Sequence, residues 1–186
     1  MAYTYPIPTR DQWQKLRNDA KVPKGAAKVS IGDAVEKAHK SFTPDTIGAN
    51  AKATEQLIKD LDVYTAAIKA KYPAFETIVK DKVRKKAVSH LAFVRDIEKA
   101  RGEYYPRYNE ARETFKGLKN GTGKPKDLAA KLQRLKGCVD AFALIDPHWE
   151  AKRPKVQSMF QICDSVPALS QTHITGLDNL FVELKP

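Results

Sequence analysis

The chain has 186 residues, with 33 Lys and Arg against 22 Asp and Glu, and its formal net charge is +11. Its hydrophobic content of 42% is too high for a wholly disordered chain. Its charged content of 30%, with no run near the roughly 18 apolar residues of a spanning helix, argues against membrane insertion. We expect a globular protein of one domain, or at most two small ones, and assign residues 1–186 to a single helical domain.

The compartment is indicated by the first residues and by the cysteines. The N-terminal sequence Met-Ala-Tyr-Thr-Tyr-Pro-Ile-Pro has neither the basic segment nor the apolar stretch of a secretory leader. The two cysteines, Cys138 and Cys163, fall on or beside apolar helical stripes, and their spacing does not suggest a disulfide framework. We therefore expect both thiols to be reduced and buried, and the protein to be cytoplasmic.

Apolar residues recur at steps of three and four in nearly every segment, and almost no segment alternates with a period of two. This pattern predicts an all-α protein, an antiparallel helical bundle of about six or seven helices. The three longest helices are predicted over about 51–71, 74–116 and 127–145. Short connections join them, which is typical of antiparallel neighbours.

Helix boundaries in the N-terminal third follow from capping patterns and prolines. Pro6 and Pro8 predict an extended arm over residues 1–8. Thr9 and Gln12 have the spacing of a capping box, which predicts a short helix beginning there. Further predicted helix starts lie at Ser30 with Asp33 and at Thr43 with Pro44.

The longest predicted helix has an apolar stripe that begins at Phe75 and continues to Phe115. Gly102 and Pro106 interrupt this stripe. A proline in a helix interior removes a backbone hydrogen bond and costs about 3 kcal/mol. We therefore expect the helix to be kinked or broken between Arg101 and Pro106.

Residues 117–126 contain three Gly and one Pro, and they are predicted to form a flexible basic loop. Although this segment includes Gly123-Lys124, the next residue is Pro125, where a phosphate-binding P-loop needs Ser or Thr. Nucleotide hydrolysis at this loop is therefore not expected. The helix after the loop has a clear apolar stripe, predicted to be buried: Leu128, Leu132, Leu135, Val139 and Phe142.

Catalytic and metal-binding patterns are weak in this sequence. Glu36 and His39 have the Glu-x-x-His spacing, but the pattern occurs once and Lys37 and Lys40 beside it would repel a cation. His90 lies near an apolar stripe, where a buried base is one interpretation and a histidine half-packed against the bundle is the favoured one. We expect no enzyme activity, no cofactor and no metal. An active site or small-molecule site assembled from distant residues stays open as a third interpretation.

Two basic clusters are the candidate surface for an anionic partner. The first surrounds the outward face of the longest helix without forming a continuous ridge. The candidate residues are Lys80, Lys82, Arg84, Lys85 and Lys86, then Lys119, Lys124 and Lys126. The favoured function is a non-enzymatic helical protein–protein interaction module, a scaffold, adaptor or assembly subunit whose partner carries an acidic surface. The alternative is a basic nucleic-acid-binding protein that contacts phosphates non-specifically; the oligomeric state stays open.

Overall fold

The computed structural model describes residues 3–185, which contain helices and no strand. The helices α4 and α5 are joined by a π-helical turn, Lys80–Arg84, into one uninterrupted helix of 47 residues. This architecture confirms the predicted all-α helical bundle. The helices are α1 (Arg10–Asp19), α2 (Ile31–Lys40), α3 (Ile47–Ile68), α4 (Pro73–Val79), α5 (Lys85–Lys119), α6 (Pro125–Ala143), α7 (Pro147–Glu150), α8 (Arg153–Ser165) and α9 (Gln171–Glu183), with a 3₁₀ turn at Lys24–Ala26.

The chain divides into two compact units. The N-terminal unit is Thr4–Asp96, and the C-terminal unit begins at Ile97 and also includes Tyr3. The boundary falls within the sequence of α5. Each unit has its own set of buried apolar side chains and is described by itself below. The assignment of residues 1–186 to a single domain stays a prediction.

The N-terminal unit begins with the predicted capping box. The backbone N–H of Gln12 donates to the Thr9 hydroxyl at 3.2 Å, and the Thr9 N–H donates to the Gln12 side chain at 2.9 Å. Both groups would otherwise lack partners at the start of α1. Trp13 from α1, Val35 from α2 and Leu57 from α3 meet in the core of this unit. The capping box confirms the predicted start of the first helix.

The next two helices begin differently from each other. At α2, the Ser30 hydroxyl donates to the Asp33 carboxylate at 2.6 Å, and no side chain caps the first N–H groups of the helix. At α3, regular helix begins at Ile47, later than the Thr43-Pro44 pair. The Thr46 hydroxyl donates to the Ser41 carbonyl at 2.7 Å and so stabilises a turn before the helix.

Of the kink or break predicted near Pro106, the break is wrong, because α5 continues through this residue, and the kink stays a prediction. Tyr104 and Tyr108, on either side of the proline, are 4% and 2% exposed. Their hydroxyls donate to the backbone carbonyls of Leu184 at 2.5 Å and Phe181 at 2.9 Å. Burial of two large aromatic side chains with satisfied hydroxyls outweighs the one hydrogen bond that proline removes.

The core of the C-terminal unit is built around α6, which packs against α7 and α8, while α8 also contacts α9. The apolar stripe predicted for α6 is buried, with exposures of 6% for Phe142 and 0% for the other four side chains. Cys138 and Cys163 are free thiols in this core. Both the predicted core stripe and the predicted buried, unpaired cysteines are confirmed.

The connection between α5 and α6 is shorter than the predicted loop over 117–126. Gly117 still belongs to α5 and Pro125 already belongs to α6, so residues 120–124 form the connection. Gly121 and Gly123 have φ angles of 77° and 88°, in the left-handed region that glycine adopts most easily. These two glycines therefore allow a tight connection between α5 and α6. The flexibility of this segment stays a prediction.

Candidate interaction surface at the π-helical turn

The π-helical turn lies where the apolar residues of the long helix are spaced unusually. Phe75, Val79, Val83 and Ala87 are all buried, and they follow one another at steps of four. In a uniform α-helix each step of four rotates the side chain by about 40°, so three such steps would rotate it by about 120°. The wider π-helical turn accommodates the extra residue, and the four side chains stay in the core.

A recess lies beside this turn, within the N-terminal unit. It has a volume of about 530 Å³ and is formed by one residue of α3 together with residues from the π-helical turn and the first turn of α5. We name it the π-turn groove. Its lining side chains are Asp62, Lys80, Asp81, Arg84, Lys85, Val88 and Ser89.

Two residues of the predicted basic cluster form ion pairs with carboxylates of the same chain. Lys80 forms an ion pair with Glu76, one turn earlier on the same helix. Arg84 donates two hydrogen bonds to the Asp62 carboxylate on α3, at 2.5 Å and 3.1 Å. The hydrogen bond to Asp62 raises the pKa of Arg84 above its usual value. These two cations therefore attach the turn to neighbouring residues.

The other three cations of this cluster, Lys82, Lys85 and Lys86, are exposed. Within residues 3–185, no carboxylate lies at ion-pair distance from any of them, in contrast to Lys80 and Arg84. Lys85 lines the π-turn groove beside Val88, an apolar side chain that is 43% exposed. The groove thus places one unpaired cation, Lys85, and one carboxylate without an ion-pair partner in the described residues, Asp81, beside an apolar side chain, whereas Lys82 and Lys86 are not among its lining residues. Sequence periodicity alone did not reveal this arrangement.

The second predicted basic cluster belongs to the C-terminal unit. Lys119 is paired with Asp178 at 2.5 Å, and its ammonium lies 5.7 Å from the centre of the Phe115 ring. Lys124 and Lys126 are exposed, and in the described part of the chain neither ammonium lies at ion-pair distance from a carboxylate, although the backbone N–H of Lys124 donates to the Asp127 carboxylate at 3.1 Å. Each unit therefore has its own basic cluster.

The Glu36-x-x-His39 pattern is divided between different partners. Glu36 is paired with Arg10 at 2.5 Å and with Lys40 at 2.6 Å. Both cations lower the pKa of Glu36, with the hydrogen bond from Lys40 as the largest cause. The His39 Nε2 atom lies 3.1 Å from the Ile7 carbonyl oxygen. The carboxylate and the imidazole are each engaged in holding this part of the fold together.

His90 is more deeply buried than the sequence suggested, since it is 0% exposed. Its Nε2 atom lies 2.8 Å from the side-chain carbonyl oxygen of Asn50, which is also buried. Desolvation by burial, with a smaller electrostatic contribution from His39, lowers the pKa of His90 to about 4. The expectation of a half-packed histidine is wrong because α3 supplies a buried polar partner, Asn50, that sequence reasoning missed.

Comparison of the chain with known protein families, with curated proteins and with solved structures finds no match. Within residues 3–185, no helix has both the length and the apolar character needed to cross a membrane.

Proposed function

We propose that this chain is a non-enzymatic helical protein–protein interaction module, a scaffold, adaptor or assembly subunit. The π-turn groove is its docking site for an acidic segment of a partner protein. The observation that carries this proposal is the position of Lys82, Lys85 and Lys86, which lack ion-pair partners, around a π-helical turn with Val88 exposed beside them. π-helical turns occur frequently at functional sites.

The partner chemistry follows from the groove. Lys85 in the groove, with Lys82 and Lys86 next to groove residues in the sequence, favours Asp and Glu side chains, and long-range attraction increases the association rate. Val88 offers an apolar contact that a purely electrostatic partner would leave exposed to water. The expected partner segment therefore carries carboxylates around one apolar side chain. Two free, buried thiols agree with a reducing compartment, and we propose a cytoplasmic location.

The test compares two charge-reversal variants in affinity capture from the native host. Lys82→Glu/Lys85→Glu/Lys86→Glu changes Lys85 in the groove and the two lysines beside groove residues in the sequence, whereas Lys15→Glu/Lys52→Glu/Lys59→Glu changes three exposed lysines elsewhere in the same unit by the same charge. After nuclease treatment, the wild type and the control should retain one acidic protein that the groove variant loses. The captured protein is then purified and its affinity for all three forms is measured. Equal binding by both variants would reject the groove as the docking site.

A second candidate function is non-specific binding of nucleic acid, and it is favoured by the net charge of +11 and by the available Lys124 and Lys126. Binding of random duplex and single-stranded oligonucleotides at physiological salt tests it. We expect weak binding that salt removes, because phosphate contacts compete with counterions. Sub-micromolar affinity that is abolished by Lys119→Ala/Lys124→Ala/Lys126→Ala would make nucleic-acid binding the preferred function.

A further inference from the structure

A second recess lies elsewhere in the N-terminal unit and shares no lining residue with the π-turn groove. It has a volume of about 250 Å³ and is lined by residues of α1, the 3₁₀ turn region and the first turn of α2. Trp13 and Tyr64 contribute aromatic side chains to its wall, and Ala27 and Val29 contribute aliphatic ones. We name it the α1–α2 cavity.

The ionisable side chains that line the α1–α2 cavity are strongly biased towards positive charge. Of its four basic residues, Arg10 is neutralised by Asp33 at 3.1 Å and by Glu36 at 2.5 Å. The other three, Arg17, Lys24 and Lys28, have no carboxylate at ion-pair distance in the part of the chain that the structure describes. Three uncompensated cations around one recess form a site of high positive potential.

Arg17 is the least satisfied of these cations. One terminal nitrogen donates to the Asn18 side chain at 3.2 Å, but its Nε atom is buried and has no hydrogen-bond partner among residues 3–185. A buried guanidinium N–H without an acceptor costs stability that an anionic ligand would recover. The buried Nε–H of Arg17 therefore lacks an acceptor within the described residues, and a ligand would supply one.

Tyr64 provides an independent observation that also indicates a ligand. The side chain is 3% exposed, and its buried hydroxyl has no hydrogen-bond partner within the described residues. Burial raises the pKa of Tyr64 and the charge of Arg17 opposes this effect only in part, so the hydroxyl is a donor at neutral pH. Buried hydroxyls normally find a partner. Tyr64 therefore offers a second unused donor in the wall of the same cavity.

The start of α2 adds backbone donors. Ile31 and Gly32 line the cavity, and no side chain caps the first turn because the Ser30 hydroxyl donates to Asp33. The first N–H groups of a helix and the positive end of its dipole favour an anion. Together with Tyr64 and Arg17, they surround the recess with donors and leave it without acidic lining residues.

We propose that the α1–α2 cavity binds a small phosphate monoester. A phosphate monoester carries about −1.5 to −2 charges at pH 7 and three acceptor oxygens, which match several cations and donors better than a carboxylate does. A volume of about 250 Å³ exceeds that of a phosphate group alone, so the cavity also has room for a compact organic group against Ala27 and Val29. The phosphate faces Arg17, Lys24, Lys28 and the Tyr64 hydroxyl.

Isothermal titration calorimetry of the full chain with phenyl phosphate tests this site. We expect saturable binding at one site per chain, tighter than the binding of inorganic phosphate or of the monoanion phenyl sulfate. Lys24→Ala/Lys28→Ala should abolish it, whereas the matched pair Lys52→Ala/Lys59→Ala on α3 should bind like the wild type. Absence of binding at millimolar phenyl phosphate, or equal affinity for phenyl sulfate, would overturn the proposal.

Tyr64→Phe separates ligand binding from folding, because it removes only the hydroxyl. We expect phenyl phosphate to bind about tenfold more weakly, the order of one charge-assisted hydrogen bond. In urea unfolding without ligand, the variant should be as stable as the wild type or more stable, since the hydroxyl has no partner in the protein. Unchanged affinity, or a clear loss of stability without ligand, would overturn the assignment.

Discussion

The imidazole of His90 on α5 and the side-chain carbonyl of Asn50 on α3 lie 2.8 Å apart, and both residues are 0% exposed. The amide nitrogen of Asn50 donates in turn to the carbonyl of Ala38 on α2, at 2.7 Å. Because the Asn50 amide nitrogen faces Ala38, its carbonyl oxygen faces His90 and accepts from the Nε2–H of the neutral imidazole. A single buried polar chain thereby links three helices of the N-terminal unit and depends on an uncharged imidazole.

Acid should destabilise the protein through His90. The pKa is lowered from 6.5 to about 4 in the folded state, so the unfolded chain takes up the proton first as pH falls. The stability contributed by neutral His90 is complete above pH 6.5 and is lost as pH falls from there to about 4. At about 1.4 kcal/mol per pH unit, the loss is on the order of 3 kcal/mol. Urea unfolding across this range measures it.

The matched variant for this effect is His90→Gln, which retains an amide donor for Asn50 but does not titrate. Its free energy of unfolding should vary less with pH between 6.5 and 4 than that of the wild type. An identical pH dependence in the two proteins would show that the acid sensitivity comes from another group.

The core of the C-terminal unit should be sensitive to cavity formation at Leu135, which is 0% exposed. Leu135→Ala should lower the free energy of unfolding by about 2–5 kcal/mol, as large-to-small core changes do. Gln133→Ala, at an exposed position of the same helix, should change it by less than about 0.5 kcal/mol. A similarly small change at Leu135 in chemical denaturation would refute the core assignment.

The two thiols should react slowly in the native protein. Burial raises the pKa of Cys163 to about 11 and also raises the pKa of Cys138. Because the thiolate is the reactive form, both burial and the raised pKa slow modification. A thiol reagent should label both residues rapidly only in denaturant. Rapid labelling under native conditions would show that this core opens easily.

Pro106→Ala should stabilise α5. The proline lies inside the helix at an exposed position, and proline is about 3 kcal/mol less favourable than alanine in a helix interior. We expect the free energy of unfolding to rise by roughly 1–3 kcal/mol, with Tyr105→Ala at the neighbouring exposed position as the control. A loss of stability would mean that the local backbone depends on the proline ring.

Sequence reasoning predicted the elements that depend on interactions between residues close together in the chain. The apolar stripe from Leu128 to Phe142 defines one helix face, and the capping box of Thr9 and Gln12 joins residues three apart. In each case the interacting groups lie within a few turns of one helix, so periodicity and spacing contain the information.

Sequence reasoning missed two kinds of feature, for different reasons. The π-helical turn had a visible signature, the repeated steps of four from Phe75 to Ala87, whose rotation a uniform α-helix could not accommodate. The His90–Asn50 bond and the proximity of Tyr64 to Arg17 had none, because each pair joins helices distant in sequence. Tertiary packing alone brings such groups together.

The most direct test of the interaction surface is site-specific photo-crosslinking in the native host. A photoreactive residue is placed at Val88, which is 43% exposed in the π-turn groove, or at Val182, which is 69% exposed on α9. Exposure alone would favour adducts at Val182. We predict instead a discrete adduct with an acidic protein from Val88, absent from Val182 and lost in Lys82→Glu/Lys85→Glu/Lys86→Glu. Equal or stronger adducts from Val182, or adducts at Val88 that survive the charge reversal, would contradict the assignment of the groove as the docking site.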